Sequence, residues 1–350
     1  MQNVKEKNIA RFEKIDSSMT RGVYLFGAGI NGRWCLDYLQ RKHIKVNAFI
    51  DSNRKNWHKQ IDGIEIIGLE EYQERERLPI LVTAKHAVTE IMQNVEEDMM
   101  MSFDAWFFIK HRNEYKQLCF DDAEGGKVLE SICKYMISGN KGELRDIVCK
   151  EQYFWGYPFY NTGDEIFVDI GACTGDTIEK FIWAHNGIYK HIYAFEPGGR
   201  QCCAAKYRKK RLVEEWSLDG ESITIEQQIV DEGDGIRFLD DSTEELVTNH
   251  VAIGGENCKE VPCVCLDSYF ADKKVTFIKA DVEGSEYAVL LGAKELLLRD
   301  KPKLAICVYH RPDDLLRIYH FLKRMIPEYQ FTLRHHSSKM MDTVLYCWIE

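Results

Sequence analysis

The residues best suited to chemistry begin with Asp169, which closes a short apolar run with the composition of a buried strand. The turn that follows carries Gly171 and Gly175, and glycine lets a backbone turn sharply and approach a ligand closely. Asp176 or Thr177 can cap the helix that this turn opens. The carboxylate precedes the glycines, and no third glycine stands at dinucleotide spacing. This pattern favours a positively charged ligand without a pyrophosphate.

A second carboxylate follows the next predicted strand, which ends Tyr193-Ala-Phe-Glu196-Pro197. Ligands of open α/β sheets bind at the edge where the carboxyl ends of parallel strands meet. Glu196 can accept hydrogen bonds from both hydroxyls of a ribose. Two such carboxylates beside a glycine turn indicate a nucleoside, and the preference for a cation indicates S-adenosylmethionine (SAM), which carries a sulfonium and an α-ammonium. The predicted SAM-contacting residues are Asp169, Gly171, Ala172, Gly175, Asp176, Thr177, Glu196 and Pro197.

A third group of charged residues lies in Phe277–Glu286, again at the end of a predicted strand. Lys279, Asp281 and Glu283 crowd one strand edge, and burying such charges is costly unless they pair or bind something. We therefore predict that Asp281 and Glu283 lie beside the reacting atoms. Glu283 and Glu286, near a helix start, could instead cap the helix amino terminus.

A general base would serve an acceptor hydroxyl, which is a poor nucleophile while it is protonated. Asp281 and Glu283 are candidates, and so is His310, because it ends a predicted strand at the same edge. His335 and His336 lie in a late loop that we expect to be exposed, and they are further candidates. Each histidine could equally be a structural residue.

Paired carboxylates also suit Mg²⁺, so Asp281 and Glu283 could instead hold a divalent cation that binds a substrate diol. The twelve cysteines include no Cys-x-x-Cys pair, which is the spacing typical of zinc sites. We predict no resident metal. Free thiols in this number favour a reducing compartment, so we expect a cytoplasmic protein.

Four stretches together resemble the FkbM family of SAM-dependent methyltransferases, over roughly residues 161–350. They are Val168–Thr177, Phe195–Pro197, Leu266-Asp267 and Ile278–Glu286. The resemblance implies a class I Rossmann-like fold and in-line methyl transfer to hydroxyl oxygens of sugars or small metabolites. It also implies that the first two stretches hold SAM and that Asp281 and Glu283 lie beside the transferring methyl. Residues 229–234 depart from the family's usual apolar–small pattern, which leaves the residue covering the adenine unidentified.

An earlier glycine turn, Gly27-Ala-Gly29-Ile-Asn-Gly32, follows an apolar stretch and opens a helix, as a dinucleotide fingerprint does. Asp51 ends the next predicted strand, where a ribose diol would bind. This segment resembles the small nucleotide- or nucleotide-sugar-binding Rossmann domain that precedes some sugar-modifying enzymes. It could bind such a ligand, bind a redox dinucleotide, or be purely structural. Two alternatives for the whole chain are a nucleotide-binding scaffold with an inactive methyltransferase fold, and an NAD-dependent oxidoreductase.

The elements that position these residues alternate between strand and helix, which predicts an α/β fold with two Rossmann-like parallel-sheet domains. We expect a small nucleotide-binding-type domain at 1–110, a helical connector at 111–160, and a methyltransferase domain at 161–350 that ends in an antiparallel hairpin. Ala105–Ile109 is predicted to be a strand. The aromatic run at 153–160 is expected to pack in a core rather than against a substrate.

A formal charge of −10 argues against general affinity for nucleic acid or anionic membranes. No apolar run reaches the roughly 18 residues of a membrane helix, and the charged amino-terminal stretch lacks the apolar core of a signal peptide. The expected partner is a small-molecule or glycan acceptor. The sequence leaves open which acceptor this is and what the oligomeric state is.

Overall fold

The computed structural model of the chain describes residues 2–85, 87–94, 99–160, 162–240, 250–252 and 258–350. It groups into two compact units. The first comprises Met1–Leu118, Leu129–Asp146 and His310–Leu316, and the second comprises Cys119–Val128, Ile147–Tyr309 and Arg317–Glu350. These compact units do not test the predicted domain boundaries at 110 and 160, which stay a prediction. Among the described residues, every helix is too short or too polar to cross a bilayer.

Helices and strands alternate along most of the chain. The helices are α1 (Gln2–Ser18), α2 (Ile30–Arg41), α3 (Leu69–Glu74), α4 (Val88–Asn94), α5 (Phe103–Tyr115), α6 (Ala123–Ser138), α7 (Gly142–Arg145), α8 (Asp176–Ala184), α9 (Gly199–Trp216), α10 (Leu266–Tyr269), α11 (Glu286–Leu291), α12 (Lys294–Asp300) and α13 (Asp314–Met325). The strands are β1 (Val23–Phe26), β2 (Val46–Ile50), β3 (Gln60–Ile61), β4 (Ile64–Ile67), β5 (Ile80–Val82), β6 (Met100–Ser102), β7 (Ile166–Ile170), β8 (His191–Phe195), β9 (Ile223–Glu226), β10 (Ile229–Val230), β11 (Gly235–Asp240), β12 (His250–Ala252), β13 (Cys258–Val264), β14 (Phe277–Ala280), β15 (Lys303–Cys307), β16 (Gln330–His335) and β17 (Thr343–Trp348).

The first unit is built on a sheet with strand order β3-β4-β2-β1-β5-β6. All neighbours pair in parallel except β3 and β4, which form a short antiparallel pair. The four residues of β1 are all buried, as expected for a strand covered on both faces. The strand order reverses between β1 and β5, which is the arrangement of a doubly wound α/β sheet. The predicted parallel-sheet fold of this part of the chain is confirmed.

One predicted element of the first unit is wrong, because Ala105–Ile109 is part of helix α5 and not a strand. The Ser102 side chain caps this helix by accepting a hydrogen bond from the Ala105 backbone N–H at 3.2 Å. The apolar residues of α5 are buried, and a helix that is buried on most sides carries the same continuous apolar run as a buried strand.

The second unit is built on a seven-stranded sheet with order β16-β17-β15-β14-β7-β8-β9. Strands β15, β14, β7, β8 and β9 pair in parallel. Strand β17 inserts antiparallel between β15 and β16, and the hairpin closes with His335 opposite Thr343. The predicted parallel series that ends in an antiparallel hairpin is confirmed. A small sheet of order β10-β13-β11-β12, which was not predicted, follows β9 along the chain.

The aromatic run at 153–160 packs into the core of the second unit, as predicted. Tyr153, Phe154 and Phe159 are buried in one cluster with residues of β7, β8 and β14. Tyr157, in contrast, is 78% exposed. Lys303 donates a hydrogen bond to the Pro158 carbonyl at 2.7 Å and pairs with the buried Glu165, which ties this segment to the sheet. The segment therefore has a fixed position beside the strands that carry the candidate site.

Candidate active site

The three predicted acidic positions lie at one edge of the seven-stranded sheet. Asp169 is the fourth residue of β7, Glu196 follows β8, and Asp281 follows β14. Strands β14, β7 and β8 are adjacent and parallel, and the register places Lys279 opposite Asp169. Their carboxyl ends therefore meet where open α/β sheets bind ligands.

The glycine turn after β7 is shaped by three left-handed residues. Gly171 has φ +77° and Gly175 has φ +78°, both favourable for glycine. A Cβ atom on Gly171 would stand 2.0 Å from the Asp281 carbonyl oxygen, so only glycine fits there. Cys173 between them has φ +47°, a conformation that is strained for a residue with a side chain. The Gly171 and Ala172 backbone N–H groups donate to the Phe195 carbonyl at 3.0 and 3.1 Å, which fixes the turn against β8.

The predicted capping role of Asp176 and Thr177 is wrong. Helix α8 begins at Asp176 with Gly175 as its N-cap residue, and no side chain caps it. The Asp176 carboxylate instead forms an exposed ion pair with Lys180, one helical turn away, at 3.4 Å. Thr177 is buried. Since a glycine occupies the cap position, the amino end of α8 is left without a side-chain acceptor.

A buried ion pair joins β7 to β14. The Lys279 ammonium lies 2.9 Å from Asp169 Oδ1, and both side chains are almost completely buried. Lys279 also donates to the carbonyls of Ile170 at 3.3 Å and Gly171 at 2.8 Å. Burial alone would lower the pKa of Lys279, but the carboxylates of Asp169 and Asp281 outweigh it and hold that pKa above its ordinary value. Burial raises the pKa of Asp169, with Lys279 opposing the shift.

Glu196 links the two turns at the ends of β7 and β8. One carboxylate oxygen accepts from the Cys173 N–H at 2.8 Å and the other from the Gly198 N–H at 2.7 Å. Burial raises the pKa of Glu196, and these two backbone donors limit the rise. Each oxygen keeps a further lone pair for a ligand hydroxyl. Pro197, which follows, is half-buried.

Asp281 is the acidic residue that two phenols contact. Its Oδ2 accepts from the Tyr153 hydroxyl at 2.9 Å and its Oδ1 from the Tyr309 hydroxyl at 3.2 Å. Neither tyrosine was predicted as a site residue. Tyr153 was interpreted as core, and no spacing rule pairs it with a residue 128 positions away. Tyr309 could have been found more easily from the sequence, because it stands next to the candidate His310 in the fifth predicted strand of the second unit.

Glu283 and Glu286 lie in the turn after Asp281. Glu283 is half-buried and has φ +51°, which marks a strained turn position. Glu286 is fully buried at the first position of α11, and its carboxylate accepts from the Val282 N–H at 2.8 Å. Glu286 therefore closes the turn that follows Asp281. The role of Glu283 beside the reacting atoms stays a prediction.

The three candidate histidines are all more buried than a loop position implies. His310 is buried and grouped with the first unit, where its ring packs edge-on against Trp34 at 5.6 Å. The expected exposure of His335 and His336 is wrong, because His335 is the last residue of β16 and fully buried and His336 is half-buried. Burial lowers the pKa of both to about 4, so both are neutral near pH 7.

The glycine turn of the first unit is tightly packed. Gly27 has φ +119°, and a Cβ on Gly32 would stand 2.2 Å from the Gly27 carbonyl oxygen. Gly29 is the N-cap residue of α2. The Asp51 carboxylate accepts from the Asn53 N–H at 2.7 Å and the Asn56 side-chain amide at 3.3 Å. Part of its hydrogen-bonding capacity is therefore used by its own turn.

A cavity of about 280 Å³ lies beyond the ends of β5 and β6 in the first unit. Its polar lining includes Lys85, Thr89, Ser102, Asp104 and Lys141. This is the same sheet edge as the Gly27–Gly32 turn, because β1 and β5 are parallel neighbours. The cavity is thus placed as a ligand site of an open α/β sheet would be.

The strand order of the second unit, its inserted antiparallel strand and its glycine turn flanked by strand-end carboxylates together define a class I methyltransferase fold. Residues 169–333, a little under half of the chain, match the family profile described as Methyltransferase FkbM domain. Residues 19–104 match the family described as C2185-like, N-terminal. A comparison with curated proteins found no match.

Among solved structures, the chain is similar to the methyltransferase FkbM from Methylobacillus flagellatus KT, with a TM-score of 0.60 at 18% identity over 99% of both chains. At this identity the similarity shows the fold. An rRNA methylase from Streptococcus thermophilus matches with a TM-score of 0.32 at 15% identity, over 54% of this chain and 89% of that chain. The fibrillarin of Aeropyrum pernix with bound S-adenosyl-L-methionine matches with a TM-score of 0.32 at 14% identity, over 53% of this chain and 66% of that chain.

Replacing Gly171 by alanine tests the geometry of the turn. The added Cβ would overlap the Asp281 carbonyl and sit at an unfavourable φ, so the free energy of unfolding should fall by about 2–4 kcal/mol. Urea unfolding measures this change. The control is Gly156→Ala, where the described residues leave 4 Å of open space around a Cβ and stability should change by less than about 1 kcal/mol. Equal effects in the two variants would contradict the proposed constraint.

The low pKa values of His335 and His336 predict a pH dependence of stability. Between about pH 4 and the unfolded-state pKa of about 6.5 the unfolded chain binds more protons, so stability falls as pH drops through this window. Between pH 7 and pH 5, the free energy of unfolding of His335→Gln and of His336→Gln should each fall by about 2 kcal/mol less than that of the parent. Urea unfolding at both pH values measures it. His58→Gln, at a side chain 69% exposed, should behave as the parent does.

Proposed function

We propose that the chain is a SAM-dependent methyltransferase that methylates a hydroxyl oxygen on a sugar, glycan or small metabolite. The observation that carries this proposal is the meeting of Asp169, Glu196 and Asp281 around the Gly171 turn. These three carboxylates face one buried ammonium, that of Lys279. The remaining negative charge suits a ligand that brings its own cation.

The residues at this edge fit SAM on two grounds. Asp169 Oδ2 is fully buried and has no hydrogen-bond partner among the described residues, so an ammonium donor would satisfy it. Glu196 has acceptor capacity left for ribose hydroxyls. Asp169, the glycine turn and Glu196 would therefore hold SAM, which supplies a methyl group on a sulfonium.

Asp281 is the proposed general base. Both of its oxygens accept from phenols, and an ionised carboxylate is the form that accepts from two donors at once. It would take the proton of the acceptor hydroxyl as the oxygen attacks the methyl carbon in line with the sulfur. Glu283 and His310 stay as further candidates for this role. If a divalent cation held by Asp281 and Glu283 acted instead, a chelator would abolish turnover.

Glu196→Gln tests the cofactor site. The amide would place an N–H₂ against one of the two backbone donors, so affinity for SAM and for S-adenosylhomocysteine (SAH) should fall together, by about 10- to 100-fold. Isothermal titration calorimetry measures both. The control is Glu215→Gln, at a half-exposed carboxylate paired with Arg211 on α9, which should bind as the parent does. Parent protein that binds neither compound would refute the proposed function and favour an inactive scaffold.

We also propose that the first unit binds a nucleotide or nucleotide-sugar at the edge of its own sheet. The observations in favour are the reversal of strand order between β1 and β5, the tight Gly27 turn, and the cavity with Lys85 and Lys141. The two lysines and the hydroxyls of Thr89 and Tyr135 can donate hydrogen bonds to phosphate oxygens, while Glu90 and Asp104 of the same lining balance the lysine charges. A redox dinucleotide is the competing ligand at the same turn.

A thermal stability screen with UDP, UDP-sugars and NAD tests this second site. A ligand that binds the native state should raise the melting temperature, and Lys85→Ala should abolish the rise. Arg54→Ala, an exposed position of the same unit, is the control that should keep it. A shift with NAD together with nicotinamide absorbance changes would instead support the oxidoreductase alternative. The absence of any shift would support a structural role.

A further inference from the structure

The Asp281 carboxylate is held from both sides by phenols, of which Tyr153 is buried and Tyr309 is partly buried. Tyr153 reaches Oδ2 from the segment that precedes residues 169–333, and Tyr309 reaches Oδ1 from a position two residues beyond the end of β15. The Tyr153 hydroxyl also lies 3.6 Å from Cys307 Sγ, but the carboxylate is nearer and is the stronger acceptor. Both phenol protons are therefore directed at Asp281.

Tyr153 is itself fixed by a chain of hydrogen bonds. Its backbone N–H donates to the Tyr346 hydroxyl at 2.8 Å, and Tyr346 lies 3.0 Å from His336 Nε2. His336 Nδ1 lies 2.9 Å from the Cys149 carbonyl oxygen, which can only accept. The neutral imidazole thus donates a hydrogen bond from Nδ1 and accepts one from the Tyr346 hydroxyl at Nε2. Every link in this chain has one donor and one acceptor.

The backbone of Tyr153 has φ +70°, a conformation that a bulky residue rarely adopts. Such strain persists where surrounding contacts over-determine the position, and it is concentrated at functional sites. Here the contacts are the Tyr346 hydroxyl, the Asp281 carboxylate and the aromatic core around Phe154. A residue needed only to fill the core would not require this combination.

We propose that Tyr153 and Tyr309 are positioning residues that orient the Asp281 carboxylate and keep it ionised for its work on the methyl donor and acceptor. The proposal rests on the proposed methyltransferase function. Tyr153 lies outside residues 169–333, so the domain that matches the family depends on a side chain supplied by the preceding segment. His336, which was a candidate base, acts two links away as a support.

The electrostatic setting agrees with this assignment. Burial, followed by the charge of Asp281, raises the pKa of both phenols far above the ordinary value, so they remain donors. Other titratable groups near Asp281 or these phenols are Lys279, Asp169, Cys307, Glu283, Asp342 and Glu286. Lys279 favours the carboxylate form of Asp281, whereas Asp169 disfavours it. The two phenols, as hydrogen-bond donors, also favour the carboxylate form of Asp281.

The experiment compares SAM with SAH, since only SAM carries the sulfonium charge. Affinities are measured by calorimetry over the pH range in which the parent loses its preference for SAM, for the parent, Tyr153→Phe and Tyr309→Phe. Losing a donor makes a carboxylate easier to protonate, so the preference for SAM over SAH should be lost about one pH unit higher in each variant. The affinity for SAH should keep the parent's pH dependence. The series is repeated in a His310→Gln background, which removes another titratable candidate base.

The matched control is Tyr329→Phe, a buried tyrosine of the same unit whose hydroxyl donates to the Pro302 carbonyl at 2.6 Å. It loses an equivalent hydrogen bond and should keep the parent's SAM preference at every pH. An unshifted midpoint in Tyr153→Phe and Tyr309→Phe, or an equal shift in Tyr329→Phe, would overturn the assignment while leaving the methyltransferase proposal standing. If Tyr153→Phe does not fold, Tyr309→Phe decides the question. Parent protein that binds neither ligand would overturn both.

Discussion

The buried Lys279–Asp169 pair is the interaction on which the candidate site depends. One ammonium from β14 neutralises the carboxylate of β7 and also donates to the carbonyls of Ile170 and Gly171, where the turn begins. Breaking such a pair leaves an uncompensated buried charge, at a cost of about 3–5 kcal/mol. Because Asp281 follows the same strand as Lys279, and its carbonyl stands where a Gly171 Cβ would be, the pair also sets the distance between the turn and the proposed base.

Charge balance then explains why this edge of the sheet suits a cationic ligand. Lys279 offsets one of the three carboxylates, and Glu196 and Asp281 are stabilised by hydrogen-bond donors that carry no net charge. Donors of this kind keep a carboxylate ionised without cancelling its field. The site therefore retains an attraction for positive charge at the place where the two turns meet.

The two glycine turns of the chain differ in the carboxylates that lie beside them. In the first unit the carboxylate of interest, Asp51, follows the second strand and is partly used by Asn53 and Asn56. In the second unit a further carboxylate, Asp169, precedes the glycines and is fully buried. A buried anion at that position disfavours phosphate, whereas the cavity of the first unit sets Lys85 and Lys141 against Glu90 and Asp104, so its charges balance.

The sequence by itself determined the positions of Asp169, Glu196 and Asp281 at strand ends, because apolar periodicity and glycine turns are local signals. It also determined the parallel series and the closing hairpin. Only the tertiary structure decided that Ala105–Ile109 is helical, since a buried helix and a buried strand share one apolar pattern. Only packing brought Tyr153 to Asp281 and buried His335 and His336 as neutral residues. Contacts between residues far apart in the chain depend on how strands and segments pack, and no local spacing records that.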